Sequence, residues 1–377
     1  MSVKFHEFSE TKTFRTKLVL QCGAVHCLED LGVVDLLREN SQHILVTDKN
    51  IENLYLKTVL AGIEAAGRSV RTMVVPASES SKSFSCYTRL VEEALDHTFD
   101  KHSTVISLGG GVINNLAGFL ASTLYRGITL IHIPTSLLSQ VDAAISFKQA
   151  INYRHGKNTI GSLYAPSCIV VDPDLLKTLP PRFLKDGMAE SIKHALCHDR
   201  SLYDSIMEGG KRLFDPDFLK HLVEKSIQLK LQVIEGDLNQ PLSDYNEAIK
   251  HYGHAVGHAV EHLMDGALFH GESIAIGMCV SAEVAFMQGF AEYDTVEEHY
   301  QIFQKVGLPT TVPAELSLSD VMHKMRYDKH HLDGRTYFGL VNRIGSMVEA
   351  ENGQYGHYVS DALVKRAIQH NRNRAAS

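Results

Sequence analysis

The spacing of hydrophobic positions changes partway along this chain. Between residues 43 and 172, short runs rich in β-branched residues alternate with stretches whose apolar residues recur every three or four positions. The runs HILVTD, RTMVVP, STVISL and ITLIHIP predict strands. Helices are expected from Ile51, near Tyr87, and from the glycines after STVISL as far as Leu124. This alternation predicts an α/β domain with a parallel sheet flanked by helices.

Beyond Pro180 the pattern becomes that of amphipathic helices, which cover residues 184–197, 218–234, 248–263 and 273–289. The pair Pro180-Pro181 can continue neither a helix nor a strand, and it stands at the change of pattern. We therefore expect an α/β domain over residues 1–180 and a mainly α-helical domain over residues 181–377. The length of 377 residues agrees with two domains.

Composition narrows the class of protein. The chain is 44% hydrophobic and 21% charged, and its net charge of −7 comes with no long basic run. Nucleic acid is not an expected partner, because phosphate neutralisation needs clustered Lys and Arg. The start lacks an apolar signal core, no run of about 18 apolar residues occurs, and the six cysteines form no CxxC pair. These features predict a cytoplasmic protein with no membrane partner.

A glycine-rich turn follows the third predicted strand. Gly109, Gly110 and Gly111 would let the backbone approach a ligand, and the next helix offers its N-terminal N–H groups to a pyrophosphate. Asp48 ends the strand HILVTD, where a carboxylate can accept hydrogen bonds from ribose hydroxyls. Both features have a simpler alternative: the spacing is not GxGxxG, a glycine turn needs no ligand, and Asp is a common helix cap.

One glutamate and three histidines are candidate ligands of a divalent metal. Glu190 lies in GMAESIKHA, His254 and His258 lie in HYGHAVGHAVEH, and His270 lies in FHGESIAIGM. A carboxylate with two imidazoles leaves one position open for water or substrate, which is the catalytic arrangement of zinc. Spacing alone favours His254 and His258 together as ligands on one helix face, with His270 on a glycine turn. Exposed histidines, or histidines satisfied in the core, are the alternative.

Basic residues stand near these motifs along the chain. Lys193 follows Glu190 by three residues, so both point the same way on a helix. Arg126 precedes a predicted strand, where its guanidinium can fork onto two phosphate oxygens. The segments SFKQAINYRHGKN and SIQLKLQ add Lys148, Lys157, Asn158 and Lys230. Together they suggest a phosphate pocket, although each alone is more simply explained as a solvated surface charge.

The order of these motifs resembles dehydroquinate synthase and its relatives, the sugar phosphate cyclases. The resemblance covers roughly residues 44–285 and rests on the segments ASESSKS, GGGVINNLAGFLA, YRGITLIHIPTSLLSQVDAAISFKQAIN, GKNTIG, DPDLLKTLPPR, GMAESIKHA, YGHAVGHAVE and HGESIAIGM. It implies a dehydroquinate synthase-like fold, with a Rossmann-like N-terminal domain that holds NAD and a helical C-terminal domain that holds Zn²⁺ or Co²⁺. It also implies a homodimer.

The resemblance assigns a role to individual residues. It makes Glu190, His254 and His270 the metal ligands and moves His258 to the substrate, in place of the HxxxH interpretation. It places the phosphorylated sugar and the catalytic groups at Arg126, Asp142, Lys148, Asn158, Lys193, Lys230 and His258. It places NAD at Asp48, Glu79, Lys82, Gly110, Gly111, Val112, Ile113, Asn115, Thr135, Ser136, Lys148, Lys157, Leu175, Leu176, Lys177 and Thr178.

Departures from dehydroquinate synthase bear on the substrate. Asn115 stands where that enzyme usually has Asp, and SFKQAIN replaces its GGKTxxN, both as in 2-deoxy-scyllo-inosose synthase, which favours glucose 6-phosphate. Glu247 and His251 replace the Arg and Asn that help to hold the substrate carboxylate, so a carboxylate would be repelled. Three details fit no relative cleanly: a His rather than Glu before YGH, an extension near Leu242, and DKHH at Asp328 with His330.

The implied reaction is a phosphate-eliminating lyase reaction that oxidises the sugar transiently with NAD and closes a carbocycle by an intramolecular aldol step. Cyclisation of sedoheptulose 7-phosphate to a valiolone and 3-dehydroquinate synthesis are alternatives within the family. A metal-dependent polyol dehydrogenase of the glycerol dehydrogenase type is the alternative enzyme class, and it would accumulate NADH. A NAD-binding sensor with a decayed site is the non-enzymatic alternative.

Overall fold

The computed structural model describes residues 13–97, 99–154, 156–239, 244–327, 331–332, 335–351 and 353–374. By its contacts the chain divides into two units. Met1–Ile133 with Phe147–Val171 is here called the sheet unit, and Pro134–Ser146 with Asp172–Ser377 the helical unit. The predicted features at Leu242, Asp328 and His330 lie outside the described residues.

The sheet unit takes its name from a parallel sheet. Its strands, within the described residues, are β1 Lys17–Leu20, β2 His43–Asp48, β3 Val70–Val75, β4 Thr104–Gly109, β5 Thr129–Pro134, β6 Lys148–Tyr153, β7 Gly156–Leu163 and β8 Cys168–Val171. Six of these described strands form one sheet in the order β1, β8, β5, β4, β2, β3. The pairs β1–β8, β5–β8, β2–β4 and β2–β3 are parallel. All residues of β4 and β8 are buried, as expected of a parallel sheet covered on both faces.

Helices alternate with these strands as the sequence predicts. They are α1 Lys49–Ile51, continued through a π-helical turn Glu52–Leu56 into α2 Lys57–Ala65, then α3 Phe84–Leu95 and α4 Gly111–Thr123, with short 3₁₀ segments at Ala24–His26, Val34–Leu36, Glu79–Ser81 and Leu124–Arg126. α3 buries Leu90 and Ala94 in the same core as Ile44 and Ile113 of neighbouring elements. β6 and β7 pair antiparallel as a hairpin beside this core, a feature that the sequence pattern did not predict.

The helical unit contains the long helices predicted after Pro180. They are α5 Pro181–His198, α6 Arg200–Gly209, α7 Pro216–Asn239, α8 Asp244–His251, α9 His254–Leu263, α10 His270–Met287, α11 Tyr293–Val306, α12 Leu318–Met325 and α13 Asp361–Asn373, with short helical turns at Ser139–Ala143, Pro173–Thr178 and Gly210–Arg212. α5 begins at Pro181, whose fixed φ and missing N–H suit the first helical position. The α/β and mainly helical fold class is confirmed.

Two local expectations in the helical unit were wrong. The stretch 248–263 is two helices, because Gly253 takes a left-handed conformation with φ 77° between α8 and α9. His270 is the first residue of α10 and does not lie on a glycine turn. The chain also forms short strands that the sequence pattern did not reveal: β9 His331–Leu332, β10 Arg335–Gly339, β11 Val341–Arg343, β12 Ser346–Met347 and β13 Gly356–Ser360.

Hydrophobic cores lie within each unit. The core of the helical unit joins residues of α9, α10 and α13, including Val256, Val280 and Ile368, all fully buried. α10 buries every residue from Gly271 to Ala285, so it shows no polar face. None of the helices in the described part of the chain is long and apolar enough to cross a membrane.

Candidate functional site

Three helices of the helical unit bring the predicted metal ligands together. Glu190 lies in the middle of α5, His254 begins α9 and His270 begins α10, and their ligand atoms all lie within 4.8 Å of one another. Nε2 of His254 and Nε2 of His270 each lie 3.6 Å from Oε1 of Glu190, whose side chain is 2% exposed. A tetrahedral ion bound at about 2.0–2.2 Å holds its ligand atoms about 3.4 Å apart. The three side chains therefore have the spacing of metal ligands.

Other acceptors fix the orientation of both imidazoles. Nδ1 of His254 donates to the carbonyl oxygen of Tyr252 at 2.9 Å, and Nδ1 of His270 donates to Oε2 of Glu261 at 3.1 Å. These bonds turn the Nε2 atom of each ring towards Glu190. Within the described residues, no side chain or backbone group donates a hydrogen bond to the buried Oε1 of Glu190. A carboxylate or carbonyl behind each imidazole is the usual support of metal-binding histidines.

The electrostatics of this cluster favour a cation. Burial alone would raise the pKa of Glu190, but Lys193, His254 and His270 hold that pKa well below its ordinary value. Burial would lower the pKa of His270, but Glu190 and Glu261 raise it to about 10. Burial, and then the charge of Lys193, lower the pKa of His254 well below its ordinary value. Carboxylates that hold a proton on His270 would also attract a divalent ion.

Glycines allow the three helices to approach closely. A Cβ at Gly271 of α10 would lie 2.0 Å from the carbonyl oxygen of Asp186 in α5, and a Cβ at Gly277 would lie 1.9 Å from that of Gly253. A Cβ at Gly257 of α9 would lie 2.7 Å from the side chain of Ile274. The backbones that carry the ligands are therefore in contact, and a side chain at these positions would push them apart.

His258 occupies a different place from His254. Its side chain is exposed, its ring centroid lies 5.0 Å from that of His254, and its ligand atom groups with those of Glu261 and His270. Spacing alone made His258 a ligand, and the resemblance made it a substrate residue. In the structure, Glu190 groups with His254 and His270, and His258 does not belong to that group.

Two predicted phosphate-binding lysines lie in the same unit. Lys193 forms a buried ion pair with Glu190, and Lys230 of α7 forms an ion pair with the half-buried Asp142. Burial opposes the charge of Lys193, but Glu190 and Asp142 outweigh it and raise the pKa of Lys193. The structure thus brings Lys193 and its partner Glu190 together as their spacing on α5 predicts.

In the sheet unit, the glycine turn and Asp48 end adjacent strands. The connection after β2 runs to β3 on one side, and the connection after β4 runs to β5 on the other side, so the carboxyl ends of β2 and β4 flank a topological switch point. Gly110 precedes α4 and has no side chain to cap it. Asp48 is a helix cap, since Oδ1 accepts from the N–H groups of Asn50 and Ile51 at 2.9 and 3.1 Å.

Several predicted cofactor positions can offer only backbone groups to a ligand. Ile113 is 1% exposed and packs against Gly109, where an added Cβ would lie 2.6 Å from the Ile113 side chain. Leu175 and Leu176 are at most 2% exposed. Val112 and Asn115 are half-buried on the first turns of α4. Other predicted positions belong to the helical unit: Thr135, Ser136, and Lys177 and Thr178 of the turn Pro173–Thr178.

The β6–β7 hairpin gathers another predicted set in the sheet unit. Lys82 donates to Oδ1 of Asn158, which has φ 53°. Asn152 links the turn Glu79–Ser81 to β7, because its side chain donates to Glu79 at 2.7 Å and accepts from the N–H of Asn158 at 2.9 Å. Sequence reasoning missed Asn152, although it is the last residue of the SFKQAIN motif. On the same hairpin, Lys148 and Lys157 are exposed.

Arg126 and Gln149 complete the residues of interest in the sheet unit. Tyr125 and Arg126 have φ angles of 49° and 65°, and such backbone conformations concentrate at functional sites. Gln149 of β6 is buried on the side of the hairpin that faces α4, where it contacts His132 and donates to the carbonyl oxygen of Tyr164 at 3.1 Å. A Cβ on Gly118 would lie 2.0 Å from the Gln149 side chain, so the two positions are matched in size.

Comparison with known proteins identifies the family. Residues 72–186 match the sequence model of the 3-dehydroquinate synthase N-terminal region, and residues 187–331 match that of the C-terminal region. A 3-dehydroquinate synthase from Desulforamulus reducens is 38% identical over 307 residues, which cover 81% of this chain and 85% of the relative. A 2-deoxy-scyllo-inosose synthase from Streptomyces paromomycinus is 36% identical over 304 residues, covering 80% and 78%. The chain belongs to the 3-dehydroquinate synthase family of sugar phosphate cyclases.

Solved structures agree with this assignment. A 2-epi-5-epi-valiolone synthase from Streptomyces hygroscopicus subsp. jinggangensis, with NAD⁺ and Zn²⁺ bound, has a TM-score of 0.87 at 24% identity, covering 98% of this chain and 100% of that one. A 2-deoxy-scyllo-inosose synthase complexed with carbaglucose-6-phosphate, NAD⁺ and Co²⁺ has a TM-score of 0.83 at 26% identity, covering 94% and 96%. The predicted dehydroquinate synthase-like fold is confirmed.

Proposed function

We propose that this protein is a 2-deoxy-scyllo-inosose synthase, which converts glucose 6-phosphate into a carbocyclic ketone and releases phosphate. The observation that carries the choice of substrate is the carboxylate of Glu247 on α8. Oε1 of Glu247 lies 2.7 Å from Nε2 of His251, and Oε2 lies 2.8 Å from Nζ of Lys250. In 3-dehydroquinate synthase the corresponding arginine helps to hold a substrate carboxylate. A glutamate there favours a sugar without a carboxylate.

The metal would be held by Glu190, His254 and His270, and NAD by the residues that the family resemblance assigns to it. The separations of 3.6 Å and the supported imidazoles fit a divalent ion. When bound, the metal would supply the charge that makes a sugar hydroxyl easier to deprotonate, and NAD would supply reversible hydride transfer. Glu190 keeps its charge despite burial, because Lys193 and the histidines lower its pKa.

The chain's own cations would bind and stabilise the leaving phosphate. Lys193 and Lys230 are at most 7% exposed, and they pair with the carboxylates of Glu190 and Asp142 respectively. Charges that are already oriented stabilise a leaving group without reorganisation. We assign Lys148, Arg126 and Asn158 to the same role, Asp142 to holding Lys230, and His258 to contact with the sugar.

A second candidate is 3-dehydroquinate synthase itself. The relative from Desulforamulus reducens carries that name at 38% identity. Glu247 argues against this activity, because the substrate of 3-dehydroquinate synthase carries a carboxylate that the Glu247 carboxylate would repel. A cyclase of sedoheptulose 7-phosphate stays the third possibility, since that sugar also lacks a carboxylate.

The experiment is a comparison of sugars. Purified protein is incubated with NAD, with Zn²⁺ or Co²⁺, and separately with glucose 6-phosphate, sedoheptulose 7-phosphate or 3-deoxy-arabino-heptulosonate 7-phosphate, and inorganic phosphate and NADH absorbance are followed. We expect the highest kcat/KM with glucose 6-phosphate. A higher value with either heptulose phosphate would replace the proposed substrate, and NADH without phosphate would indicate a polyol dehydrogenase.

We also propose that the protein acts as a cytoplasmic homodimer in carbocycle biosynthesis, with domains at residues 1–180 and 181–377. C₂ dimers are the commonest assemblies of soluble proteins. Light scattering of the purified protein measures the assembly, and a monomer mass would contradict the dimer.

A further inference from the structure

The helix that begins with His270 is capped by a residue from another helix. Phe269, the residue before α10, has no side-chain acceptor for the first N–H groups of that helix. Oδ1 of Asp186 on α5 accepts from the N–H of Gly271 at 2.6 Å and from that of Glu272 at 3.3 Å. Asp186 precedes Glu190 by one helical turn. One face of α5 therefore carries a predicted metal ligand together with the cap of the helix that carries another.

Arg182 lies one turn before Asp186 on α5 and makes a second contact with the start of α10. Arg182 forks onto Glu272, with Nε 2.7 Å from Oε1 and Nη2 2.7 Å from Oε2. Nη2 also donates to the carbonyl oxygen of Ala267 at 2.6 Å, and Glu272 accepts from the N–H of Phe269 at 2.8 Å. The guanidinium lies 4.0 Å from the centroid of the Phe269 ring. Arg182 thus holds the chain on both sides of His270.

Close packing leaves this start of α10 little freedom. Asp186 is 6% exposed, and Gly271 lies against its backbone so tightly that an added Cβ would be 2.0 Å from the carbonyl oxygen. Loss of the carboxylate would leave buried N–H groups without an acceptor, which destabilises the backbone that carries them. The first turn of α10 would be the part released, and His270 is its first residue.

We propose that Arg182 and Asp186 form a clamp that positions His270 against Glu190 and so sets the affinity of the metal site. Both are positioning residues, since neither belongs to the group of ligand atoms around Glu190. The inference rests on the proposed metal site, and it does not depend on which sugar is cyclised.

The test measures metal affinity without any sugar. Metal-depleted wild type, Asp186→Ala, Asp186→Asn and Arg182→Ala are titrated with Co²⁺ against a competing chelator, and the visible Co²⁺ absorption band is recorded. We expect Asp186→Ala to bind about 10- to 100-fold more weakly, as is usual when support behind a metal ligand is lost. Asp186→Asn keeps an acceptor oxygen and should retain most of the affinity.

Asp199→Ala is the matched control. Asp199 follows the other end of α5 and caps α6, where Oδ1 accepts from the N–H of Leu202 at 2.9 Å. This variant should lose thermal stability and keep its Co²⁺ affinity and absorption band. Equal loss of affinity in Asp199→Ala would reduce the effect to general destabilisation and overturn the clamp.

The remaining outcomes separate the clamp from the proposed function. Wild-type affinity in Asp186→Ala would overturn the clamp. Should Asp186→Ala fail to fold, Arg182→Ala decides, because its side chain is 49% exposed: several-fold weaker binding supports the clamp and unchanged binding contradicts it. Wild type that binds Co²⁺ but does not cyclise glucose 6-phosphate would refute only the proposed reaction.

Discussion

Single residues show what the sequence could and could not predict about the site. The residue types and spacing of Glu190, His254, His258 and His270 indicate a metal site, and the family resemblance selects Glu190, His254 and His270 as its ligands. Spacing alone could not separate His254 from His258, because both lie on one face of a helix. The difference is set by tertiary packing, which places Oε1 of Glu190 on α5 3.6 Å from Nε2 of His254, whereas His258 is exposed. Asn152 was missed because an amide that bridges two segments leaves no sequence pattern.

The two histidines should respond differently to substitution. His254→Ala removes a ligand atom, so we expect metal affinity to fall at least about 100-fold, beyond the usual effect of losing a supporting residue. His258→Ala should bind the metal normally and lose turnover. Metal content after dialysis and kcat measure the two effects. Loss of metal from both variants would restore the HxxxH interpretation, in which His254 and His258 are both ligands.

Lys148 tests the proposed phosphate pocket. Its side chain is exposed at the start of β6, so Lys148→Ala should leave the melting temperature within about 1–2 °C, as for a surface substitution. We expect kcat to fall about 100- to 1,000-fold, the usual effect of removing one group that stabilises developing charge. Arg154→Ala, an exposed cation on the same hairpin, is the control. Near-normal turnover of Lys148→Ala would remove it from the mechanism.

At the scale of elements, the alternation of strands and helices predicted the parallel sheet, and the amphipathic stretches predicted the long helices. The pattern failed where packing outweighs local preference. Gly253 divides a continuous helical pattern because its left-handed backbone fits against α10, where a Cβ would lie 2.4 Å from Met278. The short strands between residues 331 and 360 were missed, because strands of two to five residues have too few alternating positions.

A buried polar network joins β5, α4 and the hairpin, and it predicts a pH dependence of stability. Nδ1 of His132 lies 2.6 Å from Oγ of Ser107, which also accepts from Asn114 at 2.7 Å. Burial lowers the pKa of His132 from 6.5 to about 3. The unfolded chain therefore binds the extra proton between these values, so the contribution of His132 is complete above pH 6.5 and declines as the pH falls towards 3.

His132→Asn keeps a donor near Ser107 and removes the titration. We expect the variant to be less stable than wild type at pH 8. The difference should narrow by up to about 1.4 kcal/mol per pH unit as the pH falls through the window. Urea unfolding midpoints at pH 8, 6 and 5 measure it, and a difference that stays constant with pH would show that His132 does not titrate on unfolding.

For the whole molecule, the family assignment rests on both halves of the chain, since residues 72–186 and 187–331 match successive parts of one family. Fold alone could not define the reaction, because one fold supports several chemistries. The ligand geometry around Glu190 supports the metal site, and the charge of Glu247 carries the proposal from family to substrate. The substrate could be inferred only from departures within a recognised motif, and composition or periodicity held no information about it.

The most direct test of the proposed cyclisation uses NAD as a limiting reagent. Protein loaded with Co²⁺ is given excess glucose 6-phosphate and a small amount of NAD, and phosphate is counted against the NAD supplied. Because the hydride is returned in every turnover, phosphate should exceed NAD many-fold while NADH absorbance stays flat. Absence of phosphate, or NADH that rises until the supplied NAD is consumed, would contradict the proposed function.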